Sequence, residues 1–182
     1  MPALADSPSI SAEAARALAN IDPDLGKRTA EDRRAAERLI VLGDRAYRKQ
    51  DYEAAYKAYF NSYPNFPTAY AYLLAGDSRW RSVVQFQARR PAEPALDGST
   101  CLEASHRLAQ ELTTDVENHY EVGVVLAQRD TALRRRLPHL VGRARGTASC
   151  LQSVAAEIEA ATPRSCVDVA KLRACLGKPL LK

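Results

Sequence analysis

Apolar residues recur at steps of three and four along most of the chain, the pattern of helices with one buried face. Ser11 precedes a short run with Ala15, Leu18 and Ala19 on one side, which is expected to end near Asp22-Pro23 because proline disfavours helix in the residue before it. Thr29, followed by Glu31 and Asp32, opens a longer helix to about Lys49, with Ala36, Leu39, Ile40, Leu42, Gly43, Ala46 and Tyr47 as its apolar face. Asp51 is placed to cap the next helix, from Tyr52 to Tyr63. Pro64 and Pro67 flank a turn at Asn65-Phe66, and a third helix is expected from Thr68 to about Trp80. Residues 1–10 hold two prolines and read as a loose arm, leaving 11–82 as the first helical region.

The pattern changes after that. Val83-Val84-Gln85-Phe86-Gln87 fits a strand or an extended connection, and Pro91, Pro94 and Asp97-Gly98 interrupt any helix, so 83–98 reads as a linker. Ser99 or Thr100 then caps a long helix to about Arg129, with Leu108, Leu112, Val116, His119/Tyr120, Gly123 and Leu126 as a bundle-like seam. Residues 131–147 carry Arg134, Arg135, Arg136, Arg143 and Arg145 with no acid among them, broken by Pro138, Gly142 and Gly146. Two short helices, about 148–161 and 166–176, close the chain as a hairpin turning at Thr162-Pro163-Arg164-Ser165, so 99–182 forms a second helical region packing on the first in a single domain.

Composition agrees with this picture. The 182 residues include 32 alanines against 8 glycines and 10 prolines, which favours helix over a sandwich or a Gly-rich nucleotide fold. No run approaches the ~18 apolar residues of a membrane-spanning helix. A net charge of +4 is too small to imply nucleic acid as the partner. The four cysteines all lie in the second half, at spacings that are neither zinc-like nor thioredoxin-like, so two disulfides and an oxidising compartment are expected. On a 166–176 helix, Cys166 and Cys175 would stand about 13.5 Å apart, too far to pair. An antiparallel hairpin turning at 162–165 sets Cys150 beside Cys175, so Cys150–Cys175 is expected to close it, leaving Cys101–Cys166 to tie it to the start of the long helix. Ala3-Leu4-Ala5 has the small-x-small form that ends a secretory leader, pointing to a periplasmic or secreted protein; a cytoplasmic one is the alternative.

Residues 36–70 hold one motif with a physical logic. Leu39, Leu42-Gly43, Ala55, Tyr59 and Pro67 stand at the spacing of a helix–turn–helix in which Gly43 and Ala55 permit close approach, the larger side chains fill around it and Pro67 stops the second helix. In this the segment resembles one tetratricopeptide repeat, with Leu39 in place of the usual Trp and Ala46 at the usual Tyr position. The resemblance implies an all-α fold of helical hairpins, completed by the long helix and the disulfide-stapled C-terminal hairpin, and a non-enzymatic scaffold or adaptor binding a protein or peptide segment.

Seven of the eight tyrosines fall between Tyr47 and Tyr72, and such a cluster suits a gripping face. The expected contact residues are Asp44, Tyr47, Tyr56, Tyr63, Tyr70 and Trp80. The competing assignment for the tyrosines is core packing. The arginines Arg134–Arg136, Arg143 and Arg145 offer an alternative function, a polyanion site on nucleic acid or an anionic surface. His106 and His119 stand about 20 Å apart along one helix and cannot share a metal. Asp115, Glu117 and Glu121 around His119 read as a solvated face, and no nucleophile–base pair, metal set or cofactor motif is present, so neither catalysis nor a cofactor is expected.

Overall fold

The computed structural model describes residues 11–89, 101–103, 106–130, 133, 135, 137–160 and 166–181. The arm at 1–10, the linker residues 90–98, Arg134, Arg136 and the turn at 162–165 lie outside them.

The fold is all-α, with one small two-stranded ribbon among the described residues. Helix α1 (Ala12–Leu25) is capped by the Ser11 hydroxyl, which accepts from the Ala14 N–H at 3.1 Å. Helix α2 (Ala30–Arg48) begins with a capping box: Asp32 N–H donates to the Thr29 hydroxyl, and Thr29 N–H donates to the Asp32 carboxylate. The same bonds hold the Asp32 carboxyl below its usual range. Helix α3 (Tyr52–Ser62) is capped by Asp51 as expected. Between α2 and α3 the chain turns through Gln50, at φ 60°.

Helices α2 and α3 form a hairpin closed on Gly43 and Ala55. A Cβ on Gly43 would lie 2.6–2.9 Å from three atoms of the Tyr59 ring, so the helices approach only because position 43 has no side chain. Leu42, read as core, is instead 53% exposed. With Gly43 and Tyr47 directed inward, Leu42 is rotated about 100–140° away from them and out of the buried face.

Helix α4 runs from Ala69 to Arg89, longer than the pattern suggested. Residues 83–89 continue the helix because no glycine or proline occurs before Pro91, and Val84 is buried one turn beyond buried Trp80. The linker therefore begins no earlier than residue 90. Residues 71–78 of α4 are all buried, with α3 on one side and the C-terminal elements on others.

The long helix is also altered. Residues 101–103 form strand β1 (Cys101–Glu103), and the helix starts at His106 as α5 (His106–Asp115). It passes through a π segment, Val116–Glu121, and continues as α6 (Val122–Arg129). Helix α7 (Pro138–Ala160) starts ten residues before the expected 148, with Pro138 in its first turn where a missing N–H costs nothing. Arg143 and Arg145 are thus helical and not in a basic loop. Residues 166–168 form strand β2 (Cys166–Asp168), antiparallel to β1 with Leu102 opposite Val167, before α8 (Val169–Leu176).

Cys150 and Cys175 form the expected disulfide between α7 and α8, with Cα atoms 5.4 Å apart. Closing this 25-residue separation stabilises the fold by ~3 kcal/mol on the loop-entropy account. The side chains of Cys101 and Cys166 lie outside the description, although their strands pair. One cluster of buried apolar residues draws on every helix, from Leu18 of α1 to Leu172 of α8.

The Gly43 contact gives a paired prediction. Gly43→Ala must displace a fully buried ring and is expected to cost ~2 kcal/mol. Gly146→Ala, in α7 with nothing within 4 Å of the new Cβ, is expected to add ~0.5–1 kcal/mol. Urea denaturation of both variants checks the pair, and equal effects would contradict the contact.

Candidate binding groove

The tyrosines are mostly turned inward. Tyr47 and Trp80 are each 1% exposed and Tyr59 is 0%, so Tyr47 and Trp80 cannot form the outer face proposed for them. Tyr59 and Tyr70 both donate to Asp44 Oδ1, at 2.8 and 3.0 Å. Tyr63 stacks on Tyr72 with ring centroids 3.8 Å apart. Asp44, Tyr63 and Tyr70 are thus half-buried, with their polar atoms or rings engaged by neighbours within the fold. The reason is chemical: a tyrosine ring buries well when its hydroxyl finds an acceptor, and here carboxylates supply one. Burial raises the hydroxyl pKa of Tyr47, Tyr59 and Tyr70, with Asp77 or Asp44 adding to the rise, so each remains a neutral donor. Among the expected contact residues, Tyr56 alone joins a surface groove described below.

Two buried polar groups organise the interior. In the first, Asp77 of α4 is 0% exposed, and its Oδ2 accepts from Arg81 Nε at 2.6 Å and from the Tyr47 hydroxyl. Burial alone works against the Arg81 charge, but Asp77 outweighs it and holds the guanidinium charged. The rest of the Arg81 fork donates to the carbonyls of Leu176, Gly177 and Lys178 at 2.9–3.2 Å. Leu180 N–H donates to the Tyr47 hydroxyl at 2.8 Å, and Arg143 donates to the carbonyls of Lys178 and Pro179. Gly177, at φ 54°, lets the chain leave α8 toward this network.

The second group forms on the π segment. The extra residue in that turn sends both His119 and Tyr120 inward, at 4% and 0% exposure. His119 Nδ1 lies 3.0 Å from the Tyr63 hydroxyl, and Nε2 lies 3.9 Å from Asp115 Oδ1. Arg79 of α4 reaches Asp115 at 3.6 Å and Glu111 at 3.9 Å. The acidic run around His119 is thus not a solvated face. Glu121 is also engaged, accepting from Ser11 N–H and from Gln152. Burial, with Arg79 adding, pushes His119 down to about 4. Burial raises Asp115 to about 6 against the pull of Arg79, with Glu111 adding to the rise.

Arg79 connects this interior to the surface. Its guanidinium lies 5.8 Å from the centre of the Tyr56 ring, at the floor of a groove of about 930 Å³ between the α2–α3 turn, α4 and α5. Phe86, 56% exposed, stands with Val83 and Leu108 among its apolar lining. Lys49, Asp51, Glu53, Lys57 and Glu111 give it mixed charge, and Lys57 is bridged to Glu53 at 2.6 Å. Sequence reasoning missed Phe86 by assigning it to a linker, although the helical step from Trp80 through Val84 carried the signal.

Comparison with family models, curated proteins and solved structures gave no match.

The arginine-rich segment is divided. Arg143 is committed to the C-terminal carbonyls, while Arg135 and Arg145 are exposed. Among the described residues no three His, Cys, Asp or Glu side chains converge on a metal-sized space.

The His119–Asp115 pair predicts opposing pH effects. His119 titrates near 6.5 unfolded and about 4 folded, so its stabilisation is full above pH 6.5 and is lost as pH falls toward 4. Asp115 titrates near 3.8 unfolded and about 6 folded, so it adds stability as pH falls through 6 toward 4. Asp115→Asn removes the second effect. Between pH 6.5 and 4.5 the variant is expected to lose about 2 kcal/mol more than wild type, read from urea midpoints. Parallel pH profiles would contradict the assignment.

Proposed function

We propose that the chain is a non-enzymatic protein-binding module that holds a partner segment in the groove between α3, α4 and α5. The observation that carries this reading is that Tyr56 and Phe86 line a roomy, mixed-charge groove while the other tyrosines of the cluster are used inside. Aromatic rings flanked by charges of both signs suit a peptide with one or two large apolar side chains and polar flanks. The α2–α3 hairpin, with its Gly43–Tyr59 contact, supports reading residues 36–70 as a tetratricopeptide-like unit that serves as scaffold and not as the gripping face. The Cys150–Cys175 disulfide and the Ala3-Leu4-Ala5 pattern support a periplasmic or secreted setting.

Selection of a phage-displayed peptide library against the intact protein tests the reading. Enriched peptides are expected to share an aromatic or large aliphatic anchor and to bind Phe86→Ala ~10-fold more weakly, with the fold retained because Phe86 is more than half exposed. Enriched peptides that bind Phe86→Ala as well as wild type, or no enrichment at all, would overturn it.

A further inference from the structure

Helix α2 turns Ala36, Gly43 and Tyr47 inward and leaves a different kind of surface outside. Arg34, Arg38, Val41 and Arg45 recur at steps of four, three and four, with Glu37 and Leu42 beside them. These six residues line a shallow depression of about 540 Å³ running along roughly three helical turns. Val41 is 46% exposed and Leu42 53%, and only Phe60 and Phe86 match them among large apolar side chains of the described residues. The side chains of Arg34, Arg38 and Arg45 have no hydrogen bond or ion pair among the described residues. Other arginines of this region are engaged: Arg33 lies over the Phe66 ring at 4.6 Å, and Arg28 donates to the Pro64 carbonyl. Arg34 and Arg38 stand one turn apart on the same face, where their like charges repel and Glu37 is the single carboxylate among the lining residues.

We infer that this face of α2 docks an acidic amphipathic helix of a partner protein. The apolar edge of that helix rests on Val41 and Leu42, and its carboxylates meet Arg34, Arg38 and Arg45. Guanidiniums favour this use because their donors match carboxylates two at a time. A second copy of the chain fits poorly, since a two-fold interface would set the arginine stripe against itself. An anionic membrane fits less well than a helix, because only two apolar side chains, Val41 and Leu42, are available to enter lipid. The face lies outside the α3–α4–α5 groove, so it stands or falls independently of that reading.

The test is fluorescence anisotropy with a labelled 21-residue helical peptide that carries leucine along one edge and glutamate on both flanks. The full chain is titrated at 50 and 200 mM salt, alongside the same composition in scrambled order. Wild type is expected to bind the amphipathic peptide at least ~10-fold more tightly than the scramble, with affinity falling at the higher salt. Leu42→Ser and Arg38→Glu are each expected to weaken binding ~10-fold with unchanged melting temperature, since both positions are exposed. Replacing glutamate by lysine in the peptide is expected to restore binding to Arg38→Glu relative to wild type. Equal binding of the scramble, insensitivity to Leu42→Ser, or no binding at 100 µM protein (a concentration of order 10⁻⁴ M) would overturn the proposal. So would Leu42-dependent binding to vesicles with one-third anionic lipid in the absence of peptide binding, or Leu42-dependent dimerisation in sedimentation.

Discussion

The Asp77 carboxylate is fully buried in the helix most enclosed by the others, and α2, α4 and the segment after α8 are arranged around its Oδ2, while its Oδ1 has no hydrogen-bond partner among the described residues. A buried carboxylate without a counter-charge would cost several kcal/mol, so its partners are constraints on the fold as much as contributions to it. Arg81 stands one turn away on α4, Tyr47 comes from α2, and both also bind the segment after α8. One charge pair thereby connects α2, α4 and the C-terminal end of the chain. Arg143 brings α7 into the same arrangement, and the Cys150–Cys175 bridge delivers Gly177 and its neighbours to the guanidinium fork. Chain reversal, disulfide and buried ion pair depend on one another.

This internal use of polar side chains decides what remains for function. Tyr47, Tyr70 and Asp44, which looked suited to a partner, instead form hydrogen bonds between α2 and α4 or α3 within the fold. Among the described residues two candidate surfaces are a groove where Tyr56 and Phe86 stand among mixed charges, and the outer side of α2 where apolar side chains lie among arginines. Arg79 is the point where interior and groove meet, since it faces Tyr56 on one side and Asp115 on the other.

The helices that end in caps were readable from the chain. Thr29 with Asp32, Asp51 and Ser11 mark starts because their side chains bond backbone N–H groups a turn away, a purely local effect. The Cys150–Cys175 pair was readable too, because an antiparallel return fixes which residues meet. What failed depended on distant contacts. The extension of α4 to Arg89 and the early start of α7 went against the weight given to scattered glycine and proline. The strands at 101–103 and 166–168 are too short to show a period and exist only because each pairs with the other. The π segment shifts His119 and Tyr120 inward by one added residue, which no regular spacing reveals. The candidate groove was legible only at Tyr56, since its other walls come from segments far apart in sequence.

Amide hydrogen exchange at residues 176–181 tests the central claim most directly. If the buried pair holds this segment, the Leu180 amide, bonded to the Tyr47 hydroxyl, exchanges on the timescale of the α4 core and not of a free chain end. In Arg81→Met the same peptide is expected to exchange rapidly while the α2–α3 hairpin keeps its protection. Wild-type exchange at 176–181 as fast as an unstructured peptide would contradict the account.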